Sequence, residues 1–390
     1  MTTQSILSDL IEAHQNGQPA TFGLSPFIST PKGSALAIGI DDGNDAYKGA
    51  VLSEQGKLVT VRIPTAYREA EVFQSGEGEI TYTVDNTSFW IGEVALRHEG
   101  DALPIGPTDQ RLIDARMRHF LAAATVELLY TAGYAPETYL TAVCFEIPDA
   151  EIVPLPDESG KSDKMGVCEA TRASLTKYLQ GQTITIIRTD KRGVETTWTL
   201  VTVRVLPQAQ TAGTILAWSK ATNGKTVTDH EAVTVINIGG GDLYRTDVNF
   251  RPYQMSSRRV SDGTISIARA LARKFPRSEL SDVGAQNALI TERLMISGKM
   301  KEIGNERREV IASQGQDLIG RLLPVFQQTR RFVLVTGGGV ILLHDQLVER
   351  LEATGKVRGE DYELINHGMS STLNSIGALF SLLFFGAKKG

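Results

Sequence analysis

Two segments about half a chain apart have the same build, and this repeat restricts the folds open to the 390-residue chain more than any other feature. At an offset of 196 residues, LAIGIDDGNDAYKGAVL lies over VTVINIGGGDLYRTDVNF, so Asp41 falls on Asn237, Gly43 on Gly239, Asn44 on Gly240 and Asp45 on Gly241. In each copy an apolar strand ends in Asp or Asn, a glycine two residues on permits a sharp turn, and a second apolar strand returns. Such a turn leaves backbone N–H groups unpaired and converging, a concavity suited to phosphate oxygens. Either turn alone could be an ordinary hairpin; two facing each other would clamp a polyphosphate. The acid heading the first turn, Asp41, repels phosphate but suits a hydrated Mg2+ bridging the phosphates, because Mg2+ keeps most of its waters and needs only one or two carboxylates. Lys48, on the strand leaving that turn, offers the same phosphates a point charge.

The elements around the repeat divide the chain. Residues 1–34 read as an appended arm. From Leu36 the runs LAIGI, GAVL and KLVTVRI form a β-meander, and ITYTV and SFWIG a hairpin split by Asp85 and Asn86. Apolar residues at helical spacing predict one helix over Gln110–Tyr134, then the strand YLTAVCFEI, a loop over Pro148–Asp163 and a helix over Ala170–Leu179. A long hairpin closes the first half near Pro207. The second half opens at Ala232 with two strands and a helix from about Asp262 to Phe275; helices dominate Ser278–Gln328, and the strand FVLVT and further helices end the chain. Domains are expected over 35–207 and 208–365, with 366–390 a helix returning to the first. After FVLVT a glycine cluster, Gly337, Gly338 and Gly339, precedes a helix, where a nucleoside or its α-phosphate could lie close to the backbone. It is not GxGxxG, and a Rossmann site fits poorly.

Charge and composition exclude other classes. Forty Lys and Arg against 45 Asp and Glu leave a net charge of −5, so no global positive field holds DNA or an anionic membrane. Two cysteines, Cys144 and Cys168, without CxxC or histidines at ligand spacing, argue against a disulfide scaffold or zinc site. The start, MTTQSILSDLIEAHQ, lacks the basic and apolar regions of a signal peptide, implying a cytoplasmic protein. The apolar run Ile376–Ala387 is shorter than the ~20 residues that span a bilayer. The arginines of SSRRV and DQRLIDARMRH read as solvated faces, and His119, His230, His344 and His367 as structural.

In this order the motifs resemble the superfamily of actin, heat-shock chaperones and sugar kinases, and within it ParM-type bacterial actins that segregate plasmids. GIDDGNDAYKGAV is similar to that family's first phosphate motif, with Asp41, Asp42, Gly43 and Lys48 in place. SFWIGEVA resembles its GE-A signature, and VRVLPQAQTAG its Val-x-Pro-Glu segment, here with Gln208 where Glu is usual. INIGGGDL resembles the second phosphate motif, SDGTISIARAL the helix whose glycine, Gly263, lies beside the ribose, VTGGGV the adenosine motif and LNSIGA the closing helix. The resemblance implies an α/β protein of the actin-like ATPase fold, two similar ribonuclease H-like lobes around a nucleotide cleft. It further implies Mg-ATP or Mg-GTP as ligand, filaments of the chain itself, and plasmid DNA moved through a separate ParR-type adaptor.

Two departures stand out. The second phosphate motif begins with Asn237 instead of Asp, which brings no charge and implies slow hydrolysis, and Asp242 stands where Thr is usual, a possible substitute for the missing carboxylate. The resemblance points to Glu151, three residues after Pro148, as the acid that orients the attacking water, with Glu146 as fallback. Rival readings are a small-molecule kinase of the superfamily, for which no sugar-kinase signature is found, and a membrane scaffold of the FtsA or pilus-assembly type using IGALFSLLFFGAKKG as an amphipathic tail.

Overall fold

The computed structural model describes residues 24–70, 78–98, 100–155, 164–221, 231–250, 253–278, 280–296, 299–329, 331–365 and 371–385. The chain begins with strands β1 (Phe27–Thr30), β2 (Gly33–Asp42), β3 (Ala46–Leu52), β4 (Leu58–Pro64), β5 (Ala66–Glu69), β6 (Thr81–Val84) and β7 (Thr87–Ile91). Helix α1 (Gly92–Arg97), the short β8 (Asp101–Ala102), helices α2 (Thr108–Ile113) and α3 (Ala115–Thr131) and strand β9 (Thr138–Ile147) follow. Next come a ribbon of β10 (Ile152–Leu155) and β11 (Lys164–Val167), helix α4 (Glu169–Tyr178), the hairpin β12 (Thr183–Thr189) and β13 (Glu195–Ala209), and α5 (Gln210–Ala221). The second half has β14 (Ala232–Ile238), β15 (Asp242–Phe250), β16 (Tyr253–Asp262), α6 (Ile265–Lys274) and α7 (Asp282–Thr291). It ends with the hairpin β17 (Arg293–Ile296) and β18 (Lys299–Glu302), α8 (Gly304–Gln328), β19 (Phe332–Thr336), α9 (Gly338–Glu352), β20 (Tyr362–Leu364) and α10 (Leu373–Phe385).

These elements form two compact units, one drawn from Met1–Val153, Gly166–Lys225 and Thr372–Gly390, the other from Pro154–Met165 and Thr226–Ser371. The second unit is built on a five-stranded sheet in the order β16-β15-β14-β19-β20, its first three strands antiparallel and its last three parallel. The first unit repeats that order and those directions as β4-β3-β2-β9-β13. The sequence repeat is therefore a repeat of topology.

The first sheet does not stop at five strands as the second does. At fifteen residues β13 outruns the ten-residue β9, and β12 pairs with its other edge from Thr183↔Val201 to Thr189↔Glu195. Strands β6, β7, β5 and β8 continue outward from β12, and β1 pairs with β2, giving eleven in all. The last residues of the expected arm are thus a strand; residues 1–23 lie outside the described part. The β6–β7 turn uses Asp85 (φ 49°) and Asn86 (φ 63°), the left-handed pair a two-residue hairpin needs.

Local chemistry moves several expected boundaries. The helix expected over Gln110–Tyr134 breaks at Asp114, whose side chain accepts from Arg116 N–H at 2.8 Å and caps α3. In the stretch expected to be helical, Glu292 adopts a left-handed conformation (φ 60°) that ends α7 before the β17–β18 hairpin. Strand β16 fills the stretch between the second strand and the helix, for which no element was expected; an edge strand needs backbone pairing more than apolar side chains. Residues 208–221, expected to open the second domain, pack with the first unit because α5 lies against α10.

Helices cover both faces of the first sheet. On one face α3 packs Phe120, Ala124 and Leu128 near Tyr47. On the other lies α10, whose Ile376, Leu379, Phe380 and Leu382 are buried, so this part of the apolar tail serves the core and is not available to a membrane. Among the described residues no helix is long and apolar enough to span a bilayer. The approach of α10 is very close: a Cβ on Gly39 would stand 2.0 Å from Ser375 O, and one on Gly377 2.0 Å from Gly213 O.

Three polar side chains stand abreast beneath this contact: Asp41 on β2, Glu146 on β9 and Gln208 on β13. Glu146 is 1% exposed; its Oε1 accepts from Gln208 Nε2 at 3.2 Å, and its Oε2 has no partner among the described residues. A Cβ on Gly213 would collide with Oε1 at 2.2 Å, so glycine makes its space. Burial, with Asp41 and Asp149 adding repulsion, pushes the Glu146 carboxyl well above its ordinary range.

Two predictions follow from this packing. Gly377→Ala lowers stability by about 2 kcal/mol through overpacking against backbone, whereas Gly320→Ala, a helical site with nothing within 4 Å, raises it by up to about 1 kcal/mol; denaturant midpoints check both. A carboxyl whose pKa is raised by folding contributes stability that is present below the unfolded value and lost as pH rises through the folded one. Glu146→Gln therefore gains on the wild-type protein by up to about 1.4 kcal/mol per pH unit as pH rises above roughly 5, until the Glu146 carboxyl ionises; urea titrations at several pH values read the difference.

Candidate functional site

The first turn is closed by a hydrogen bond from Gly43 N–H to Ala46 O at 3.1 Å, and the second by one from Gly239 N–H to Asp242 O at 2.9 Å, the same atoms at the same offset. Within the turns, the N–H groups of Asn44, Gly240 and Gly241 make no hydrogen bond to another described residue. Their carbonyl neighbours are committed. Gly43 O accepts from Thr65 Oγ1 at 3.0 Å and Arg111 at 3.4 Å; Gly239 O accepts from Thr264 N–H at 3.0 Å and Gly240 O from Ile265 N–H at 2.8 Å. In a trans peptide the N–H points opposite to the C=O, so each pinned carbonyl turns the next N–H outward.

Successive strand residues face opposite sides, which separates the two acids of the first turn. Asp41 faces α5 and α10, its Oδ1 accepting from Gln210 Nε2 at 2.9 Å and its Oδ2 from Asn374 Nδ2 at 3.4 Å. Asp42 faces α2, where Arg111 donates to its Oδ1 at 3.0 Å and to its main-chain oxygen at 2.5 Å. Burial raises Asp42 to about 6, opposed by Arg111 and assisted by Asp41. Lys48 Nζ lies 3.1 Å from Asp45 Oδ1 and 3.7 Å from Asp41 Oδ2, and Arg62 holds the other Asp45 oxygen at 3.1 Å. Burial opposes the charge on Asp45, but Lys48 and Arg62 outweigh it and hold that carboxyl far below the usual range. Burial likewise opposes the Lys48 charge, and Asp45 and Asp41 outweigh it and raise its pKa.

The second unit brings all the residues expected there together. Gly263 packs on the turn, where a Cβ would meet Gly239 O at 2.2 Å, and its N–H donates to Gly241 O at 3.0 Å. Gly337, at φ 96°, passes so close to Asn237 that a Cβ would stand 2.5 Å from Asn237 Oδ1; one on Gly339 would meet Ile238 Cγ2 at 2.3 Å. Gly338 begins α9. One helical turn on, Ile341 is 42% exposed and, with Arg307, Arg308, Ile311, His344 and Asp345, lines a groove of about 450 Å³ between α8 and α9. Asp242 is tied to Arg259, which also binds Asp262, so its carboxylate is not free to stand in for the one Asn237 lacks.

Of the two candidate water-orienting acids, Glu151 is 8% exposed and held at both oxygens, by Thr108 N–H at 2.8 Å and Thr171 Oγ1 at 2.5 Å. Sequence reasoning missed Arg111, taken for a solvated charge, whereas Arg259 is indeed exposed while pairing Asp242 and Asp262. Arg111 is 4% exposed, and its only sequence signal is an arginine one helical turn after Pro107 and Thr108.

Charges around the first turn balance: Asp41, Asp42 and Asp45 against Lys48, Arg62 and Arg111. Around the second, Arg259 meets two carboxylates. Neither turn carries surplus positive charge, so a polyanion needs a counterion of its own. Among the described residues no group of three or more His, Cys, Asp or Glu could hold a metal. A hydrated divalent ion brought with such a ligand would meet in Asp41 an acceptor with lone pairs for its waters.

No family model matches the chain, and no curated protein does. Solved structures match over most of its length. The archaeal actin homologue Ta0583, in complex with ADP, superposes with a TM-score of 0.59 at 16% identity, covering 88% of this chain and 98% of that one. ParM of Bacillus thuringiensis with ATP gives 0.58 at 13%, covering 90% and 99%. A pCBH ParM described as a non-polymerisable quadruple mutant gives 0.60 at 13%, covering 90% and 98%. The repeated five-strand order and these likenesses establish that the chain has the actin-like fold.

Proposed function

We propose that the chain is an ATPase that assembles into filaments under nucleotide control, in plasmid segregation or a related cytoskeletal role in the cytoplasm. The observation that carries the reading is the duplicated turn, with the same closing bond and, at the equivalent positions Asn44 and Gly240, an N–H that bonds no other described residue. In this reading the turns bind the phosphates of one ATP or GTP. Lys48 and the amides of Asn44, Asp45, Gly240 and Gly241 contact phosphate; Gly263 and Gly337–Gly339 lie along the nucleoside. The α8–α9 groove, with its exposed Ile341, suits an apolar base face. Mg2+ when bound supplies the charge that the balanced turns lack.

Glu151 orients the attacking water. Its bonds to Thr108 and Thr171 fix its position while leaving lone pairs for a water. Asn237 accepts hydrogen bonds without charge, so hydrolysis is slow. Assembly is head to tail, a heterologous contact that propagates instead of closing, and hydrolysis then weakens the polymer. The net charge of −5 agrees with cargo DNA held through an adaptor of ParR type. The neighbours support this reading by what their names state: one with ADP, one with ATP, and one whose mutant is called non-polymerisable.

Light scattering and pelleting with ATP, GTP, ADP and a non-hydrolysable analogue, each with Mg2+, are expected to give polymer with a triphosphate. Asp41→Ala abolishes it; wild-type protein that stays in the supernatant with every nucleotide refutes the filament. Asn237→Asp is expected to raise phosphate release about tenfold or more, by restoring the charge that polarises a metal-bound water, and phosphate assays read the change.

A further inference from the structure

The two turns pin their carbonyls by different means. On the second, main-chain N–H groups at the start of α6 do so, from Gly263, Thr264 and Ile265 to Gly241, Gly239 and Gly240. On the first, side chains do most of it. Arg111 donates Nη1 to Asp42 O at 2.5 Å, and Nη2 to Asp42 Oδ1 at 3.0 Å and Gly43 O at 3.4 Å; its Nε donates to Pro104 O at 3.0 Å. Thr65, fully buried, adds its hydroxyl to Gly43 O at 3.0 Å and its N–H to Asp45 O at 3.0 Å. A guanidinium carries five donors in a rigid fork, so one side chain grips three carbonyls, two of them in the turn, and a carboxylate together.

We infer that Arg111, assisted by Thr65, is the positioning residue of the first phosphate turn: its bond to Asp42 O fixes the peptide whose Gly43 N–H closes the turn on Ala46 O, and its bond with Thr65 to Gly43 O turns the Asn44 N–H of that next peptide toward the ligand. The inference rests on the nucleotide reading above. Because Arg111 is buried beneath the turn it acts through the backbone and not by touching phosphate. Asp42 then serves as the counter-charge that seats the guanidinium. The helix delivering Arg111 is anchored as well: the N–H of Thr108, its first residue, donates to Glu151 Oε1 at 2.8 Å. One six-residue helix therefore joins the turn to the acid assigned to the attacking water.

The test titrates full-length wild-type protein, Arg111→Lys and Thr65→Val with Mg-ATP by calorimetry and with adenosine by saturation-transfer NMR, alongside thermal unfolding. Lysine keeps the charge but cannot span two carbonyls. The expected result is Mg-ATP binding weakened at least tenfold in R111K and several-fold in T65V, with adenosine affinity within about twofold of wild type and unfolding still cooperative. Equal loss of both ligands marks a merely structural role and overturns the inference, as does wild-type affinity for Mg-ATP in both variants. If R111K does not fold, T65V decides by the same two criteria. Wild-type protein that does not bind Mg-ATP refutes the nucleotide reading itself, a failure visible before any variant is compared.

Discussion

A backbone N–H can face a ligand only when the carbonyl of its own peptide is committed elsewhere, and both turns are built around that constraint. A free glycine-rich turn samples many peptide orientations, and ordering it on binding costs conformational entropy. Here the ordering is done in the folded chain. Helix α6 does it with its first amides, which would otherwise be unsatisfied because a helix leaves its N-terminal N–H groups without partners. Helix α2 does it with a buried arginine. The two units share the turn and its closing bond but differ in the support beneath it.

The close approach of α10 serves the same end. Gly39, Gly213 and Gly377 let the helix lie against β2 and α5 with no side chains between them. That proximity brings Asn374 to Asp41 and leaves Glu146 under the helix with one oxygen unpaired. A buried acid with an unsatisfied oxygen is a cost to stability, and it lies beside the carboxylate that heads the first turn.

Much of this was legible in the sequence wherever the signal is local. The strands of both turns, the β6–β7 turn at Asp85 and Asn86, and the glycines of 337–339 follow from residue type and spacing within a few positions. Features set by distant partners were not legible. Nothing in TDQRLI shows that Arg111 meets carbonyls of residues 42 and 43, and nothing in YQMSSRRVSD shows that its backbone completes a sheet edge. The widening of the first sheet comes from β12 and four further strands adding beyond β13, a pairing that appears only once the strands are assembled. The break at Asp114 was readable in principle, since Asp is a strong N-cap, but the apolar periodicity on either side concealed it.

Charge decides how the second turn can work. An aspartate at position 237 would place a carboxylate against the close passage of Gly337, among carbonyls such as Ile238 O. Asparagine removes that repulsion, and Arg259 draws the nearby Asp242 and Asp262 into ion pairs. The first turn, by contrast, sets Asp41 among amide donors and beside Lys48. The two copies thus differ in charge: the first presents a carboxylate held by amide donors and a lysine, whereas the second presents a neutral amide at the equivalent position.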